Sequence, residues 1–182
     1  MRLFVAIEIL PEIRDRIMEF VSTIRPQLGN VRWSRPEGLH ITLKFLGNVP
    51  DEERIAIEEK LRKMQVPPFS LGIGDAGAFP NAKSPRVLWV GLDAPADLAR
   101  LAEQVDIAMS SLGFEREQRA FTPHVTLARF NGRGNKVNVS AALSSVPKAG
   151  FGTMTATEFH LYESKLSSQG SRYIKLASFP LN

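Results

Sequence analysis

The sequence predicts a mixed α+β fold formed as a single domain over residues 1–182. Stretches in which apolar residues alternate with a period of two, as in strands, are interleaved with stretches of helical spacing. Several predicted strands follow one another directly, which favours α+β over a fully parallel, doubly wound sheet. A third observation is a His-x-Thr-Leu motif that occurs once in each half of the chain.

The first predicted elements are a strand and a helix. Residues 3–9 alternate between apolar and other side chains and predict a half-buried strand. Apolar residues then recur at helical spacing over 12–28, and Gly29 is a suitable stop. A helix is also predicted over 51–64, because acidic residues fill its first turn and basic residues its last, as the helix dipole favours. The other predicted elements are strands over 39–46, 69–79, 86–92 and 124–130, helices over 97–112 and 137–145, a flexible turn over 131–135, and extended segments over 151–162 and 172–179 separated by a polar loop at 164–171.

Composition and charge exclude several kinds of site. The chain has no cysteine, which excludes disulfides, thiolate zinc sites, iron–sulfur clusters and cysteine nucleophiles. The formal net charge is +4, and 15 of the 23 basic residues are arginine, which binds phosphate or carboxylate bidentately. This mild excess permits an anionic partner without requiring one. The first apolar run is broken by Glu8 and Pro11, so we expect a cytoplasmic protein without a secretory signal or membrane span.

The repeated motif reads His40-Ile-Thr42-Leu in the first half and His124-Val-Thr126-Leu in the second, each in a predicted strand. Residues i and i+2 of a strand share a face, so each histidine should point the same way as its threonine. A single His-x-Thr is common, and a lone histidine usually has a structural role. Two of the chain's three histidines fall in this motif, which favours a functional pair.

A groove between two such strands would have specific chemistry. Two imidazoles that titrate near neutrality can act as general acid and general base at the same pH. Two threonine hydroxyls can donate hydrogen bonds to an oxyanion. A phosphate diester suits this groove, because one histidine would activate the attacking oxygen while the other protonates the leaving oxygen. The chemistry requires no metal and no other cofactor.

These motifs resemble the signatures of the two-histidine (2H) phosphoesterases. HITLKFLG at 40–47 and PHVTLARF at 123–130 are similar to the paired His-x-Thr-x motifs of that superfamily. The resemblance is narrower to the LigT-like RNA 2′,3′-cyclic phosphodiesterases, also named 2′-5′ RNA ligases. It extends over the whole chain, because RLFVAIEI, VRWSRPEGLHITL, SPRVLWVGL and LYESKLSSQGSRYIKLASFPL are similar to segments of that family.

The resemblance implies both a fold and a reaction. The fold would have two pseudo-symmetric lobes around a water-filled cleft, each with an antiparallel sheet and helices. The reaction would hydrolyse 2′,3′-cyclic phosphate ends of RNA to 2′-phosphomonoesters without a metal. By position, His40 would protonate the departing 3′ oxygen, His124 would activate water, and Thr42 and Thr126 would hold phosphate oxygens. The reverse reaction would be a secondary activity that joins the cyclic phosphate to a 5′-hydroxyl.

Two basic residues beside the motifs have alternative interpretations. The family often uses the arginine of the HxTLxR pattern to contact substrate, so Arg129 is a predicted substrate-binding residue. Strict alternation nevertheless places Arg129 on the face opposite His124. Lys44 shares the face of His40, where it would be either a solvated residue or a phosphate contact.

Four other features receive structural interpretations. Residues 72–77 fit the GxGxxG pattern, but no helix follows them, so they do not predict a dinucleotide site. His160 lies between two apolar residues and is expected to point to solvent or a sheet edge. Phe4 and Trp33 could stack a base, but both are expected to be core residues.

More than one function is compatible with the sequence. The leading hypothesis is a phosphodiesterase whose partners are RNA ends or small nucleotides bearing a 2′,3′-cyclic phosphate. A second is a nucleotide-binding module with the same cleft and no turnover. A third is an enzyme for a small cyclic nucleotide, an ADP-ribose cyclic phosphate or a 2′-5′ oligonucleotide, with specificity set by loops such as 79–86 and 131–137. A monomer is the default expectation.

Overall fold

A computed structural model of the chain describes residues 1–29, 31–93, 95–130, 137–167 and 170–182. The strands are β1 (Arg2–Glu8), β2 (Arg32–Trp33), β3 (His40–Asn48), β4 (Phe69–Phe79), β5 (Val87–Leu92), β6 (His124–Arg129), β7 (Gly152–Ala156), β8 (Glu158–Ser167) and β9 (Gly170–Pro180). The α-helices are α1 (Pro11–Leu28), α2 (Arg54–Leu61), α3 (Ala96–Ser110) and α4 (Ser140–Leu143), and short 3₁₀ turns lie at Pro36–Gly38 and Asp51–Glu53.

The strands form one antiparallel sheet whose order is nearly symmetric about its centre. The order is β7-β4-β5-β6-β3-β1-β8-β9, with β2 added beside β6. In one half of the sheet, which forms the first lobe, β1 pairs with β3, and in the other half, which forms the second lobe, β5 pairs with β6. The two halves meet where Ile41 of β3 pairs with Val125 of β6. The predicted α+β, two-lobed fold is thus confirmed, with the sheets of the two lobes joined into one.

The main core lies between one face of this sheet and the helices. Ile13, Ile17 and Ile24 of α1 are buried, and they belong to the same apolar cluster as the inward residues of β1. Leu101 and Val105 place α3 in the same cluster, where it packs against β3 and α2. The helices therefore cover one side of the sheet and leave the other side to form the cleft. None of the helices in the described ranges is long and apolar enough to cross a membrane.

Strand β1 is buried on both faces, so its prediction as a half-buried strand is wrong. Leu3, Val5 and Ile7 contribute to the main core. Phe4 is 2% exposed, and it forms a second, smaller cluster on the opposite face with Ala6 and aromatic residues of β8 and β9. The alternation is real, but the C-terminal hairpin covers the face that the sequence left open.

Several predicted boundaries move by a few residues. Helix α1 begins at Pro11, which a first helical turn tolerates, and it ends before Gly29, whose φ is 63°. The predicted helix over 51–64 divides into a 3₁₀ turn and α2, which ends at Leu61. The predicted helix over 137–145 shrinks to α4.

The predicted polar loop at 164–171 is mostly strand, because β8 continues to Ser167 and β9 begins at Gly170. The predicted turn over 131–135 lies outside the described residues.

Both motif strands contain a bulge at the same place. In β3 the residues that pair with Ala6 and Val5 are Thr42 and Lys44, so Leu43 is the extra residue. In β6 the pairing skips Leu127 in the same way. A bulge reverses the facing of the residues that follow it. This reversal changes the facing of the side chains that directly follow each motif.

Candidate active site

The structure brings the two His-x-Thr pairs together at the junction of the lobes. Antiparallel pairing of Ile41 with Val125 places His40 level with Thr126, and Thr42 level with His124. All four side chains point to the face of the sheet opposite the helices and are partly exposed. The four predicted residues therefore lie around one small region of the cleft, arranged diagonally.

Each histidine is held through the same hydrogen bond. Nδ1 of His40 donates to the carbonyl oxygen of Gly38 at 2.7 Å, and Nδ1 of His124 donates to the carbonyl oxygen of Thr122 at 2.8 Å. Because Nδ1 carries the hydrogen, Nε2 is the nitrogen left to gain or lose a proton. The backbone two residues before each motif thus fixes both the ring orientation and the reactive atom.

His40 lies among aromatic rings of the first lobe. Its ring centroid is 4.8 Å from that of Phe4 and 5.0 Å from that of Tyr173, which meets it edge-on. The pKa of His40 is lowered from 6.5 to about 4. Burial is the largest cause, the hydrogen bond to Gly38 opposes it, and the charges of Arg129 and His124 lower the pKa further. The charge of one histidine thus acts directly on the other.

His124 has different neighbours in the second lobe. Its ring lies 5.2 Å from that of Phe79, edge-on, and 6.4 Å from that of Trp89. Trp89 in turn requires a glycine beside it, because a Cβ atom on Gly77 would lie 2.2 Å from the indole ring. The glycines of residues 72–77 therefore belong to strand β4, and Gly77 gives the indole room next to His124.

The bulge at Leu127 changes the position of Arg129. Alternation alone would direct Arg129 away from the cleft, but the skipped residue returns it to the face of His124. Its guanidinium is exposed, and its charge acts on His40. The sequence contained a signal for this reversal. Leu127 and Phe130 are both buried and lie three residues apart, whereas regular alternation would place buried residues two apart.

Both interpretations of Lys44 are wrong. The bulge at Leu43 turns Lys44 away from the cleft toward helix α3, where it is 8% exposed. Its ammonium group donates to Asp106 at 2.6 Å and to the carbonyl oxygen of Glu115 at 2.7 Å. Arg116 also contacts the carboxylate of Asp106. Lys44 is therefore part of a buried ion pair on the helix side of the sheet.

The expectation for His160 is also wrong. His160 is 1% exposed rather than directed to solvent, and its Nδ1 lies 2.9 Å from the hydroxyl of Ser178 on β9. It sits opposite Ala6 in the pairing of β1 with β8. Strand β9 covers the side that the sequence pattern left open. His160 contacts Tyr162 but lies outside the group formed by the two motifs.

Sequence reasoning missed most of the aromatic walls. Tyr162 stacks on Phe4 at 5.3 Å, and Tyr173 contacts both Phe4 and His40. Phe4 is a core residue, as expected, and also a neighbour of the catalytic candidate His40. Trp33 packs against the core, as expected, and also lines a cavity beside the site. Neither tyrosine lies near a motif in sequence, and only the sheet order brings them there.

The site carries two imidazole nitrogens and an arginine around an open cleft. Within the described ranges no group of three histidine or acidic side chains is placed to hold a metal ion. Two Nε2 atoms on opposite sides of a bound group can transfer one proton each, and cationic and hydroxyl groups can hold an oxyanion between them. The arrangement is suited to general acid–base chemistry on an anionic centre.

Comparisons with known proteins agree with this geometry. The family model described as LigT like Phosphoesterase matches the chain twice, over residues 7–89 and 90–173, so each half of the sequence, with one His-x-Thr motif, matches separately. A protein of Archaeoglobus fulgidus named RNA 2′,3′-cyclic phosphodiesterase is 36% identical over 179 residues, covering 98% of this chain and 99% of that protein. One of the same name from Escherichia coli is 33% identical, covering 99% and 96%.

Solved structures have the same fold. The E. coli LigT structure complexed with 3′-AMP superposes with a TM-score of 0.81 at 30% identity, covering 99% of this chain and 97% of that one. The protein TT0787 of Thermus thermophilus superposes with a TM-score of 0.84 at 29% identity, covering 100% and 98%. With two matches to the family model that together span residues 7–173, and relatives that match over their full length, the chain belongs to the LigT-like phosphoesterase family.

Proposed function

We propose that this protein is an RNA 2′,3′-cyclic phosphodiesterase that uses His40 and His124 as its acid–base pair. The observation that carries the proposal is the pairing of two equivalent His-x-Thr motifs across the pseudo-symmetric junction of the lobes. Relatives that match over their full length have that activity in their names. The enzyme opens the cyclic phosphate at the end of an RNA strand and leaves a 2′-phosphomonoester.

The reaction breaks the bond from phosphorus to the 3′ oxygen and forms a bond from phosphorus to water oxygen. In the assignment that the family resemblance implies, Nε2 of His124 takes the proton of the attacking water. Nε2 of His40 gives a proton to the 3′ oxygen, which leaves as a hydroxyl. The hydroxyls of Thr42 and Thr126, each beside one histidine, donate to the non-bridging oxygens. Both histidines return to their starting states after proton exchange with solvent.

Substrate binding favours uptake from solvent of the proton that His40 needs. In the free protein the lowered pKa leaves His40 neutral at pH 7. An anionic phosphate beside the ring opposes the repulsion from Arg129 and raises the pKa of His40. The imidazole therefore becomes an acid only when a phosphate is present. In this proposal Arg129 binds the same phosphate. The anion then compensates the positive charge of Arg129, which lowers the pKa of His40 in the free protein.

A short RNA with a 2′,3′-cyclic phosphate end tests the proposal. The purified protein should convert it to the 2′-phosphomonoester and not to the 3′-phosphomonoester, and a chelator should leave the rate unchanged. Chromatography that resolves the 2′- and 3′-phosphomonoesters shows which of the two ester bonds of the cyclic phosphate is broken. Full activity of His124→Ala, or a product with a 3′-phosphate, would contradict the proposal.

The finer identity of the substrate follows from a panel of related molecules. We expect 2′,3′-cyclic nucleotides and RNA ends to react and 3′,5′-cyclic nucleotides to remain intact, because only the five-membered cyclic phosphate has the geometry of the proposed reaction. A protein that binds every member without turnover would instead be a nucleotide-binding module. Ligation is expected as a slow secondary reaction, in which a 5′-hydroxyl replaces water as the attacking group, the 3′ oxygen leaves as before, and a 2′-5′ phosphodiester forms. A cytoplasmic monomer stays a prediction, which fractionation and light scattering check.

A further inference from the structure

A solvent-open cavity of about 70 Å³ lies beside His40. Its walls come from the segment around β2, from the end of β6 and from the start of β9. Within the part of the chain that the structure describes, the lining includes three arginines, Arg32, Arg35 and Arg129, and no acidic residue. We call this cavity the arginine pocket.

The arginine pocket shares its wall with the proposed catalytic site. Gly38, which accepts the hydrogen bond from His40, lines it, and so does Tyr173, whose ring meets His40 edge-on. The two wall residues touch closely, since a Cβ atom on Gly38 would lie 3.2 Å from the Tyr173 ring. Arg129 lines the pocket and also acts on His40. A ligand held at the histidines can therefore extend into the pocket.

Two of the arginines are held opposite each other by the sheet. Strand β2 is only two residues long, and its register pairs Arg32 with Arg129. Like charges directly opposite in an antiparallel pair destabilise it. Among the described residues neither Arg32 nor Arg129 forms an ion pair. A structure that holds two such cations together without an acid has a place for an exogenous anion.

The segment that carries these arginines is fixed to the motif strand. The backbone N–H of Ser34 donates to the carbonyl oxygen of Leu127 at 2.8 Å, and its hydroxyl donates to that of Thr126 at 2.8 Å. Both acceptors lie within the second motif. The distance between the pocket and the motif is therefore set by backbone contacts and not by a flexible surface loop.

We propose that the arginine pocket binds the phosphate on the 5′ oxygen of the nucleotide whose 2′,3′-cyclic phosphate lies at the histidine pair. In RNA this group is the phosphodiester to the preceding nucleotide. It is the next negative charge along the strand, and the forked guanidinium of Arg32, beside the Arg129 that holds the cyclic phosphate, is suited to bind it. The inference rests on the proposed function, and it makes the enzyme selective for polynucleotide ends over cyclic mononucleotides that lack a 5′-phosphate.

Two substrates that differ by one group test the pocket. Adenosine 2′,3′-cyclic phosphate is compared with its 5′-phosphorylated form, and the ratio of their kcat/KM values is measured for each variant. The wild-type enzyme should prefer the 5′-phosphorylated form by about tenfold or more, as one charge-assisted contact provides. Arg32→Gln should remove most of this preference while changing kcat/KM of the smaller substrate little. Arg32→Lys should fall between them, since a point charge replaces the fork.

Arg2→Gln is the matched control. Arg2 is also exposed on a strand, but it lies six residues from the end of β1 that pairs with His40, about 20 Å away. The control should keep the wild-type preference. An equal loss for both substrates in Arg32→Gln, or an unchanged preference, would overturn the pocket assignment. Circular dichroism and thermal unfolding establish that Arg32→Gln is folded, so that such a result is decisive.

A binding measurement separates this inference from the proposed function. If the wild-type protein turned over neither substrate, the proposed function would fail. Calorimetric titration with adenosine 2′-phosphate and with adenosine 2′,5′-bisphosphate would still test the pocket. A 5′-phosphate contribution to affinity that Arg32→Gln removes supports the inference, and equal affinity of the two ligands contradicts it.

Discussion

The two lobes present the same motif on the same framework but surround it differently. Each motif strand has its bulge after the threonine, and each histidine donates from Nδ1 to the carbonyl two residues before it. Four residues after the histidine, however, lobe one has Lys44 in a buried ion pair, whereas lobe two has the apolar Ala128. Five residues after it, lobe one has the exposed aromatic Phe45 and lobe two has Arg129.

The comparison separates what the duplicated framework determines from what its surroundings determine. The backbone fixes which nitrogen of each imidazole is reactive, and it does so identically. The neighbours then set the charge state, since His40 is packed against Phe4 and Tyr173 and is repelled by Arg129. A symmetric scaffold thus gives the two imidazoles asymmetric surroundings. This asymmetry is what an acid and a base need at one pH.

Removal of either histidine should cause the largest loss of activity. His40→Ala and His124→Ala are each expected to lower kcat/KM by about 10²–10⁴-fold, the usual contribution of a general acid or base. The double variant should lose little more than either single variant, because the two groups act as a unit. Steady-state kinetics on the cyclic-phosphate RNA measures all three. The control is His160→Gln, which lies outside the motifs. This variant should hydrolyse the substrate at the wild-type rate at temperatures where it is folded.

A strongly unequal result would break the comparison between the lobes. If His124→Ala lost activity and His40→Ala kept it, lobe one would supply only a binding wall. If the two single losses multiplied in the double variant, the histidines would act in independent steps.

Loss of the buried ion pair should lower stability without affecting the cleft. Burial raises the pKa of Asp106, but hydrogen bonds from Lys44 and Arg116 outweigh it and leave that pKa below its usual value. Lys44→Met leaves the carboxylate buried with only part of its partners, and we expect the free energy of unfolding to fall by about 3 kcal/mol. Urea titration measures this loss. The double variant with Asp106→Leu should recover much of it.

The same variant also tests the correction for Lys44. If Lys44 contacted substrate phosphate, Lys44→Met would raise KM even where the protein is fully folded. We expect KM and kcat to remain at wild-type values at about 25 °C, because the bulge at Leu43 directs the side chain to α3.

The lowered pKa of His40 should make stability depend on pH. Above pH 6.5 the imidazole is neutral in both folded and unfolded chains and makes no difference. As the pH falls from 6.5 toward 4 the unfolded chain binds the proton first, so the free energy of unfolding decreases. The expected loss is about 3 kcal/mol when the pH has passed 4. The difference between wild type and His40→Gln in urea titrations at several pH values isolates this contribution, and a flat difference would contradict it.

The sequence predicted the parts of this molecule that depend on local pattern. The strands, the main helices and the two motifs follow from periodicity and from a repeat that is visible in the residues. What it did not predict depends on pairing between distant segments, as with Tyr173 beside His40 or strand β9 over His160. The bulges could be predicted in part, because they leave a trace in the local pattern of apolar residues. Buried Leu46 follows Leu43 at a spacing of three, and this departure from alternation marks the reversal.

The causes of the low His40 pKa can be ranked, and the ranking sharpens the difference between the lobes. Burial is the largest cause and the charge of Arg129 a smaller one, so Tyr173→Ala should raise the pKa of His40 more than Arg129→Gln does. Proton NMR titration of the imidazole signals in the free protein measures both changes without any substrate. A larger rise with Arg129→Gln would mean that charge rather than aromatic packing distinguishes His40 from His124.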